Sequence, residues 1–432
     1  MFLSAPVLNN KSSFSDIEFK EFDLSNGLQV ILHKDNSNPL VSVDIWYHVG
    51  SKNEEENRTG FAHLFEHMMF QGSANVGKAE HFKYLQDAGG FVNGSTTHDR
   101  TNYLETVPSN NLELVLWLES DRMGTLKVTQ ENFDNQRNVV KEEKRQRYDN
   151  APYGSRFYNL FSKSFRNHPY GWIPIGSMKD LNEADLDYAK SFYKKFYSPD
   201  NAVLVIAGDI DYGKTKILVE KYFGDLIPAK HKKNPFQEIL FNTGEVTGTI
   251  YDNVQLPALY TAYKIPDVLM KDVYALNLLS SVLGEGKSSR LNRDIVYERK
   301  LAKSVNSLTW NLELGGLFVF SSQGFPDSDL QVIQRHIDNQ IEKIISEGIS
   351  SDELVKSKNK AENAFVNRQQ TMLGIAEQLA FYRTFYNDTS RVNTELLNFQ
   401  MVSAEDIQKT AAKYLSKDNR VVLYYLNQNS RN

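Results

Sequence analysis

The stretch GFAHLFEHMMFQGS, residues 60–73, is apolar on almost every side yet contains two histidines and a glutamate. Side chains three and four positions apart share one face of a helix, so His63, Glu66 and His67 point the same way. The other positions predict a buried helix, and they are Phe61, Ala62, Leu64, Phe65, Met68 and Met69. Ionisable groups that face a core must be paired, hydrogen-bonded or bound to a metal. The stretch therefore predicts either a polar strip at a domain interface or a metal site.

A zinc site accounts for all three ionisable side chains. Two histidines at i and i+4 can chelate one zinc ion, and a carboxylate beside them can take a proton from zinc-bound water. Because the H-x-x-E-H pattern is complete and lies on a buried helix, we favour the zinc site over the polar strip. A catalytic zinc also needs a third protein ligand and an open fourth position, so one more ligand is expected elsewhere in the chain.

The third ligand is predicted in a second helix, QENFDNQRNVVKEEKRQR, residues 130–147. Four side chains are expected on the apolar face of that helix, and they are Gln136, Val139, Val140 and Glu143. Glu142 is expected on the polar side. A carboxylate on the apolar side of a helix needs a partner, so Glu143 is the better candidate for the third ligand.

Composition limits the class of protein. A length of 432 residues suggests two domains of roughly 200 residues each. The net charge of −5 argues against a nucleic-acid partner, and Lys230, Lys232 and Lys233 predict only a solvated loop. The chain has no cysteine, which excludes disulfides and cysteine-ligated zinc. Its apolar runs are all shorter than the roughly 18 residues of a membrane span.

The order of predicted elements repeats once along the chain. Residues 228–245, PAKHKKNPFQEILFNTGE, predict a linker between a first domain, 1–227, and a second domain, 246–432. After the linker, PALYTAYKIP stands where VSVDIWYHVG stood, and YALNLLSSVLGEGKSSRL stands where the His63 helix stood. Only the first copy has the histidines. The fold therefore does not require them, which indicates that they serve chemistry.

Four stretches of the first copy predict strands. FDLSNGLQVILHKD, residues 22–35, and PLVSVDIWYHVGS, residues 39–51, are expected to pair through a turn at residues 36–39. FVNGSTTHDRTNYLETVP, residues 91–108, predicts two further strands. NAVLVIAGDID, residues 201–211, predicts a buried strand that ends the first half.

The chain resembles the inverzincin metallopeptidases of the pitrilysin, insulin-degrading enzyme and mitochondrial processing peptidase family. The resemblance rests on H-x-x-E-H, the distal glutamate, HPYGWIPIGSMKDL, FYSPDNAVLVIAGDID and the duplicated half. It implies that His63, His67 and Glu143 bind one zinc ion and that Glu66 is the general base. The family often has a glutamate at the position of Gln136, so an accessory role for that residue near the site is in doubt.

The resemblance also implies a fold and a substrate strand. Each half is expected to be α+β, a mostly antiparallel sheet with helices packed on one face, and two halves form half of a clamshell chamber. Relatives lay an extended peptide along the strand that here contains Asn93, Gly94, Ser95 and Thr96. Polar residues suit an edge left free for another backbone. An ordinary polar hairpin is the alternative.

One part of the family pattern is missing. Active relatives use an arginine and a tyrosine of the second copy, where this chain reads DIVYERKLAKSV with Tyr297 and Lys303 at those positions. Arg290 and Tyr297 lie seven apart but precede the motif, so we expect them to be packing residues. The resemblance therefore implies a zinc-bearing subunit that forms a heterodimer with a homologous subunit carrying the Arg/Tyr pair. A homodimer is the alternative.

The function expected from these features is that of a zinc-dependent endopeptidase acting on peptides or unfolded segments. The alternative is a noncatalytic scaffold or core subunit of a larger assembly, which predicts eroded ligands, whereas all four positions are intact. Residues 1–13, MFLSAPVLNNKSS, lack the segments of a signal peptide as they stand. We expect a soluble protein of the bacterial periplasm or cytoplasm.

Overall fold

The computed structural model describes residues 16–230 and 235–430. Its first sheet has six strands, which are β1 Lys20–Asp23, β2 Gln29–Lys34, β3 Leu40–Tyr47, β4 Phe91–Thr96, β5 Thr101–Pro108 and β6 Ala202–Gly208. The second sheet has five, which are β7 Val246–Asp252, β8 Ala258–Ile265, β9 Ala302–Trp310, β10 Gly316–Gly324 and β11 Arg420–Asn427. The stretch 1–13, Lys232, Lys233 and part of the predicted linker lie outside the described residues.

Fourteen α-helices accompany the sheets within the described ranges. Those before the second sheet are α1 Phe61–Met68, α2 Glu80–Asp87, α3 Leu112–Thr125, α4 Gln130–Lys144, α5 Arg156–Ser164, α6 Met178–Glu183, α7 Leu186–Phe196 and α8 Tyr212–Phe223. The others are α9 Asp272–Gly284, α10 Leu330–Glu347, α11 Ser351–Arg368, α12 Met372–Phe381, α13 Glu395–Met401 and α14 Ala404–Tyr414. Within the same ranges, none of the helices combines the length and apolar character that a membrane span requires.

Strand order shows the duplication directly. The first sheet runs β1-β2-β6-β3-β5-β4 and the second runs β7-β11-β8-β10-β9. If β1 is set aside, the strand that comes last in each half of the chain lies second in its sheet. In the first sheet β6 is parallel to β2 and antiparallel to β3, and in the second sheet β11 is parallel to β7 and antiparallel to β8. The remaining pairs are antiparallel in both sheets. The predicted α+β architecture of two duplicated domains is therefore confirmed. The boundaries at 227 and 246 stay a prediction.

The expected pairing of the first two strand stretches is wrong. β2 and β3 are not neighbours, because β6 lies between them and pairs with both. Every residue of β6 is buried, so this apolar strand needs a neighbour on each side. Its position depends on contacts across more than 150 residues of sequence, as in the pair of Gln29 with Val203. The expectation that β6 ends the first half is also wrong, because α8 follows it.

Each half contributes a helix to the sheet of the other half. Ile375 and Leu379 of α12 belong to one buried cluster with Trp46 of the first sheet. In the opposite direction, α5 packs on the second sheet, where Asn159 Nδ2 donates to the Tyr425 hydroxyl at 3.0 Å. Because each sheet is covered partly by the other half, the two halves pack as one unit.

A buried ion network also joins the halves. Glu313, in the loop between β9 and β10, accepts from Lys52 Nζ and lies 2.6 Å from His48 Nε2. Its backbone N–H donates to Asp99 Oδ2 at 3.0 Å. Burial alone would raise the pKa of Glu313, but hydrogen bonding from His48 and the charge of Lys52 lower it to about 2. The second half is thereby anchored beside the segment that precedes α1.

Candidate metal centre

The helix that carries the histidines is held at its N-terminus by a buried carboxylate. Glu54 accepts from the backbone N–H groups of Gly60 and Ala62 at 2.9 and 2.8 Å, which satisfies two donors that a helix start leaves unpaired. Gly60 has φ of 96°, and a Cβ there would lie 3.0 Å from the Ile175 carbonyl oxygen. The six apolar positions predicted to be buried are buried. The start and rotation of α1 are therefore fixed.

The three predicted ligands converge in the structure. One ligand atom each of His63, His67 and Glu143 lies within 4.8 Å of the other two. Glu143 Oε2 is 3.7 Å from His63 Nε2 and 3.3 Å from His67 Nε2. Ligand atoms about 2.0–2.1 Å from a tetrahedral zinc lie roughly 3.3 Å apart, so the three side chains fit that ion. Their exposed fractions of 12%, 25% and 16% leave one side of the cluster open.

The protonation states also suit a metal. Burial, followed by the neighbouring His67, lowers the pKa of His63 to about 4, so its imidazole is neutral near pH 7. A hydrogen bond from His67 is the main cause of the lowered pKa of Glu143, whose carboxylate is therefore ionised. Neutral imidazoles and an ionised carboxylate are the forms that bind divalent metals.

Glu66 lies on the same helix between the two histidines. Its Oε2 accepts from the Thr96 hydroxyl on β4 at 2.6 Å. Burial raises the pKa of Glu66, while the hydrogen bond from Thr96 opposes that rise. A Cβ added to Gly94 would lie 3.3 Å from Glu66 Cγ and 3.2 Å from Tyr103 Cδ1. The missing side chain at Gly94 therefore lets β4 approach α1 closely.

The four residues of the predicted substrate strand face two ways. Gly94 and Thr96 lie on the α1 side, whereas Asn93 and Ser95 alternate to the other face of the sheet. Ser95 Oγ donates to Asn102 Oδ1 at 2.7 Å on that far face. β4 is the edge strand of its sheet. Gly94 and Thr96 therefore lie beside Glu66, whereas Asn93 and Ser95 do not.

Backbone geometry directs polar groups of β4 outward. The Thr97 N–H donates to the Arg100 carbonyl at 2.8 Å, which makes this a hydrogen-bonded pair of the hairpin. Bonded and non-bonded pairs alternate in an antiparallel ladder, so the N–H and C=O groups of Gly94 and Thr96 point to the free edge. The Gly94 N–H donates to the Asn93 Oδ1 at 2.9 Å.

Gln136 and Val139 of α4 differ in burial. Gln136 is buried on the same face as Glu143, and its Nε2 donates to Asn135 Oδ1 at 2.9 Å. The placement of Val139 on the apolar face is wrong, because its side chain is 44% exposed. The buried face runs instead through Phe133 and Val140. The helical phase still places Glu143 toward α1.

Three residues of the second copy, Arg290, Tyr297 and Lys303, differ in their contacts and exposure. Arg290 donates from Nε and Nη2 to the two oxygens of Glu353, at 2.7 Å each, which commits it to holding α11. The packing role expected for Arg290 agrees with this contact. Tyr297 is 50% exposed, so the packing role expected for it is wrong. Lys303 is also exposed.

Three contacts of the site were not foreseen from the sequence. Besides the Glu54 cap, Arg147 Nη1 lies 2.7 Å from Glu143 Oε1. Arg100 Nη1 donates to the carbonyl oxygen and the hydroxyl of Ser95 at 2.8 and 2.6 Å, which braces β4. The i,i+4 spacing of Glu143 and Arg147 is a signal that could have identified that pair.

A second group of potential ligands is held by a buried arginine. His81, Glu105 and Glu119 are fully buried, and one ligand atom of each lies within 4.8 Å of the others. The Arg122 guanidinium donates to Glu105 Oε1 at 3.1 Å and to Glu119 Oε2 at 3.0 Å. A guanidinium that holds both carboxylates makes this cluster a buried ion network.

Two family models match successive parts of the chain. The family model described as insulinase, peptidase family M16, matches residues 29–176, and the model of the peptidase M16 inactive domain matches residues 183–361. Zinc protease PqqE of Helicobacter pylori is 32% identical over 93% of this chain and 91% of its own length. Uncharacterized zinc protease YmxG of Bacillus subtilis is 27% identical over 80% of this chain and 83% of its own.

Solved structures agree with these matches. The crystal structure of a protease from Helicobacter pylori has a TM-score of 0.91 and 31% identity, covering 95% of this chain and 100% of that one. The first half of the periplasmic protease PqqL from Escherichia coli, at 20% identity and a TM-score of 0.76, covers 95% of this chain and 92% of that one, and shares the fold. The chain therefore belongs to the insulinase family of peptidases, family M16.

Proposed function

We propose that the chain is a zinc-dependent endopeptidase that hydrolyses peptides or unfolded polypeptide segments. The observation that carries this proposal is the convergence of His63, His67 and Glu143 on one side of α1, with Glu66 on the same helix beside β4. Relatives named zinc proteases support it.

The three converging side chains would hold one zinc ion per chain. When bound, the ion supplies a Lewis acid that polarises the scissile carbonyl and makes a bound water more acidic. The neutral imidazole of His63 and the ionised carboxylate of Glu143 need no proton release to accept it. The open side of the cluster leaves room for water and substrate.

Glu66 is proposed as the general base. Its carboxylate would take a proton from the attacking water and return it to the leaving amine. The Thr96 hydroxyl donates to Oε2 at 2.6 Å, which restricts the rotation of the carboxylate. A pKa raised by burial suits this role, because a base with a higher pKa accepts the proton more readily.

The free edge of β4 is proposed as the substrate strand. An extended peptide would add to the sheet by pairing with the outward N–H and C=O groups of Gly94 and Thr96. This pairing would place its backbone beside Glu66. Asn93 Oδ1 now accepts from the Gly94 N–H and would have to move aside. Ser95, braced by Arg100, would keep the strand rigid from the far face.

The second half supports a proposed heterodimer. Tyr297 and Lys303 stand where the family pattern has an arginine and a tyrosine that hold the substrate. A partner of the same fold that carries the pair would complete the site by closing the chamber and excluding water. A homodimer is the weaker alternative, because both copies would have the same gap.

The test compares the chain alone with the chain mixed with a homologous partner that lacks H-x-x-E-H and keeps the Arg/Tyr pair. Zinc content is measured together with cleavage of a quenched peptide. We expect one zinc per chain in both samples and about a hundredfold faster cleavage with the partner, since such electrostatic donors are worth about that factor. Full activity from the chain alone would contradict the heterodimer. Absence of zinc and cleavage in both samples would favour the scaffold.

A further inference from the structure

The carboxylate of Glu143 is divided between two sets of partners. Its Oε2 faces His63 and His67 at 3.7 and 3.3 Å, and its Oε1 lies 2.7 Å from Arg147 Nη1. A free carboxylate can rotate and offer either oxygen or both to a metal. With Oε1 occupied, only Oε2 is presented to the cluster.

The backbone after α4 keeps Arg147 beside Glu143. The helix continues as a π-helical turn over Arg145–Asp149, in which the Asn150 N–H donates to the Arg145 carbonyl at 2.8 Å. Single π-turns inside helices are rare and are often found at functional sites. This turn carries the arginine that reaches back to Glu143.

The adjacent pair of acidic residues provides an internal comparison. Glu142 has its own arginine, Arg145, at 3.2 Å, but its side chain is 54% exposed. Glu143 is 16% exposed, so the ion pair with Arg147 involves a carboxylate that water reaches far less. The two ion pairs are alike in kind, and only the Glu143 pair adjoins the histidines.

We infer that Arg147 is a positioning residue that fixes Glu143 as a one-oxygen ligand of the metal. The inference rests on the proposed function, because it needs the metal. Two effects oppose each other here, since the guanidinium repels a divalent cation while its ion pair with Oε1 orients the ligand. Arg147 is 73% exposed, so water screens its repulsion of the cation, whereas its ion pair with Glu143 Oε1 is a direct contact at 2.7 Å. Orientation should therefore dominate.

The test measures zinc affinity of the full chain by competition with a chromophoric chelator. Loss of an outer partner of a metal ligand typically weakens binding about 10- to 100-fold, so we expect at least a tenfold higher Kd for Arg147→Ala. Arg147→Lys keeps a cationic donor and should recover part of the loss. Arg145→Ala is the matched control and should bind zinc as the wild type does. Thermal unfolding of the metal-free variants should be unchanged.

The outcomes distinguish a failure of the role inferred for Arg147 from a failure of the proposed zinc site. A Kd for Arg147→Ala within twofold of the wild type, or a tighter one, would overturn the role of Arg147 while leaving the zinc site intact. An equal loss of affinity in Arg145→Ala would also overturn it. The effect would then come from the loss of one positive charge and not from the contact with Glu143. Failure of the wild type to bind zinc would overturn the proposed function together with this inference.

Discussion

The equivalent helices of the two halves, α1 and α9, differ in the residues that they present beside the edge strand. Glu66 of α1 accepts from Thr96 on the edge strand β4, and Asn277 of α9 accepts from Thr309 on the edge strand β9. Placing Asn277 at the position of Glu66 puts Tyr274 and Leu278 at the positions of the two histidines. Both are buried in the core of the second half. The same fold therefore carries two histidines and a glutamate in one copy, and Tyr274, Asn277 and Leu278 at the same positions in the other.

The gap between helix and edge strand also differs. A Cβ on Gly94 of β4 would lie 3.2–3.3 Å from side-chain atoms of Tyr103 and Glu66. A Cβ on Gly284, at the end of α9, would lie only 2.3 Å from the Ser307 backbone nitrogen on β9. At Gly284 the helix α9 therefore touches the backbone of its edge strand, whereas the neighbours within 3.3 Å of a Cβ on Gly94 are side chains.

The largest expected effect is loss of the metal. His67→Ala should abolish zinc binding and hydrolysis, because two ligands cannot hold the ion against water. Its counterpart Leu278→Ala should leave zinc content unchanged and destabilise the protein by about 2–5 kcal/mol, as truncation of a buried leucine does. Elemental analysis and chemical unfolding of both variants check this. Zinc loss in Leu278→Ala would show that the second copy contributes to the site.

The next largest effect is a difference in zinc binding between variants of the adjacent residues Glu142 and Glu143. Glu143→Gln should weaken zinc binding strongly, because an amide oxygen is a poorer ligand than a carboxylate. Glu142→Gln should change it little, since Glu142 is half exposed and pairs with Arg145. Chelator competition on the two variants gives the comparison. Equal losses would mean that the position of α4 is misjudged.

The smallest expected effects on function come from alanine substitutions of Gly94 and Gly284. Gly284→Ala should be destabilising by about 1–3 kcal/mol, because its contact is with backbone that cannot move aside. The two tightest contacts of a Cβ in Gly94→Ala are side-chain atoms at 3.2–3.3 Å, and the backbone oxygen of Asn102 lies at an ordinary 3.4 Å, so its stability should stay close to the wild type while cleavage falls several-fold. Unfolding curves and peptide turnover measure both. A larger stability loss for Gly94→Ala would reverse the comparison.

Much of the candidate site could be predicted because its signals are local. The spacing of His63, Glu66 and His67 and the helical phase of Glu143 are properties of single helices. The sheet order could not be predicted in the same way, because β6 enters between β2 and β3 from far along the chain. The contact of Glu54 with the α1 N-terminus depends on a loop conformation, so the sequence offers no comparable signal for it.

The exposed residues show a second limit of sequence reasoning. Val139 and Tyr297 are apolar or aromatic and were expected to pack, yet they are 44% and 50% exposed. Periodicity predicts which face of a helix is apolar, but it does not tell a core from a surface that another chain could cover.

The central claim is that the first copy alone performs chemistry, with Glu66 as its base. The most direct test is Glu66→Gln, measured for zinc content and for cleavage of a quenched peptide in the presence of the homologous partner. We expect one zinc per chain, as in the wild type, because His63, His67 and Glu143 are unchanged. Cleavage should fall about 10²- to 10⁴-fold, because an amide cannot take the proton. Turnover equal to the wild type, with zinc bound, would contradict the assignment.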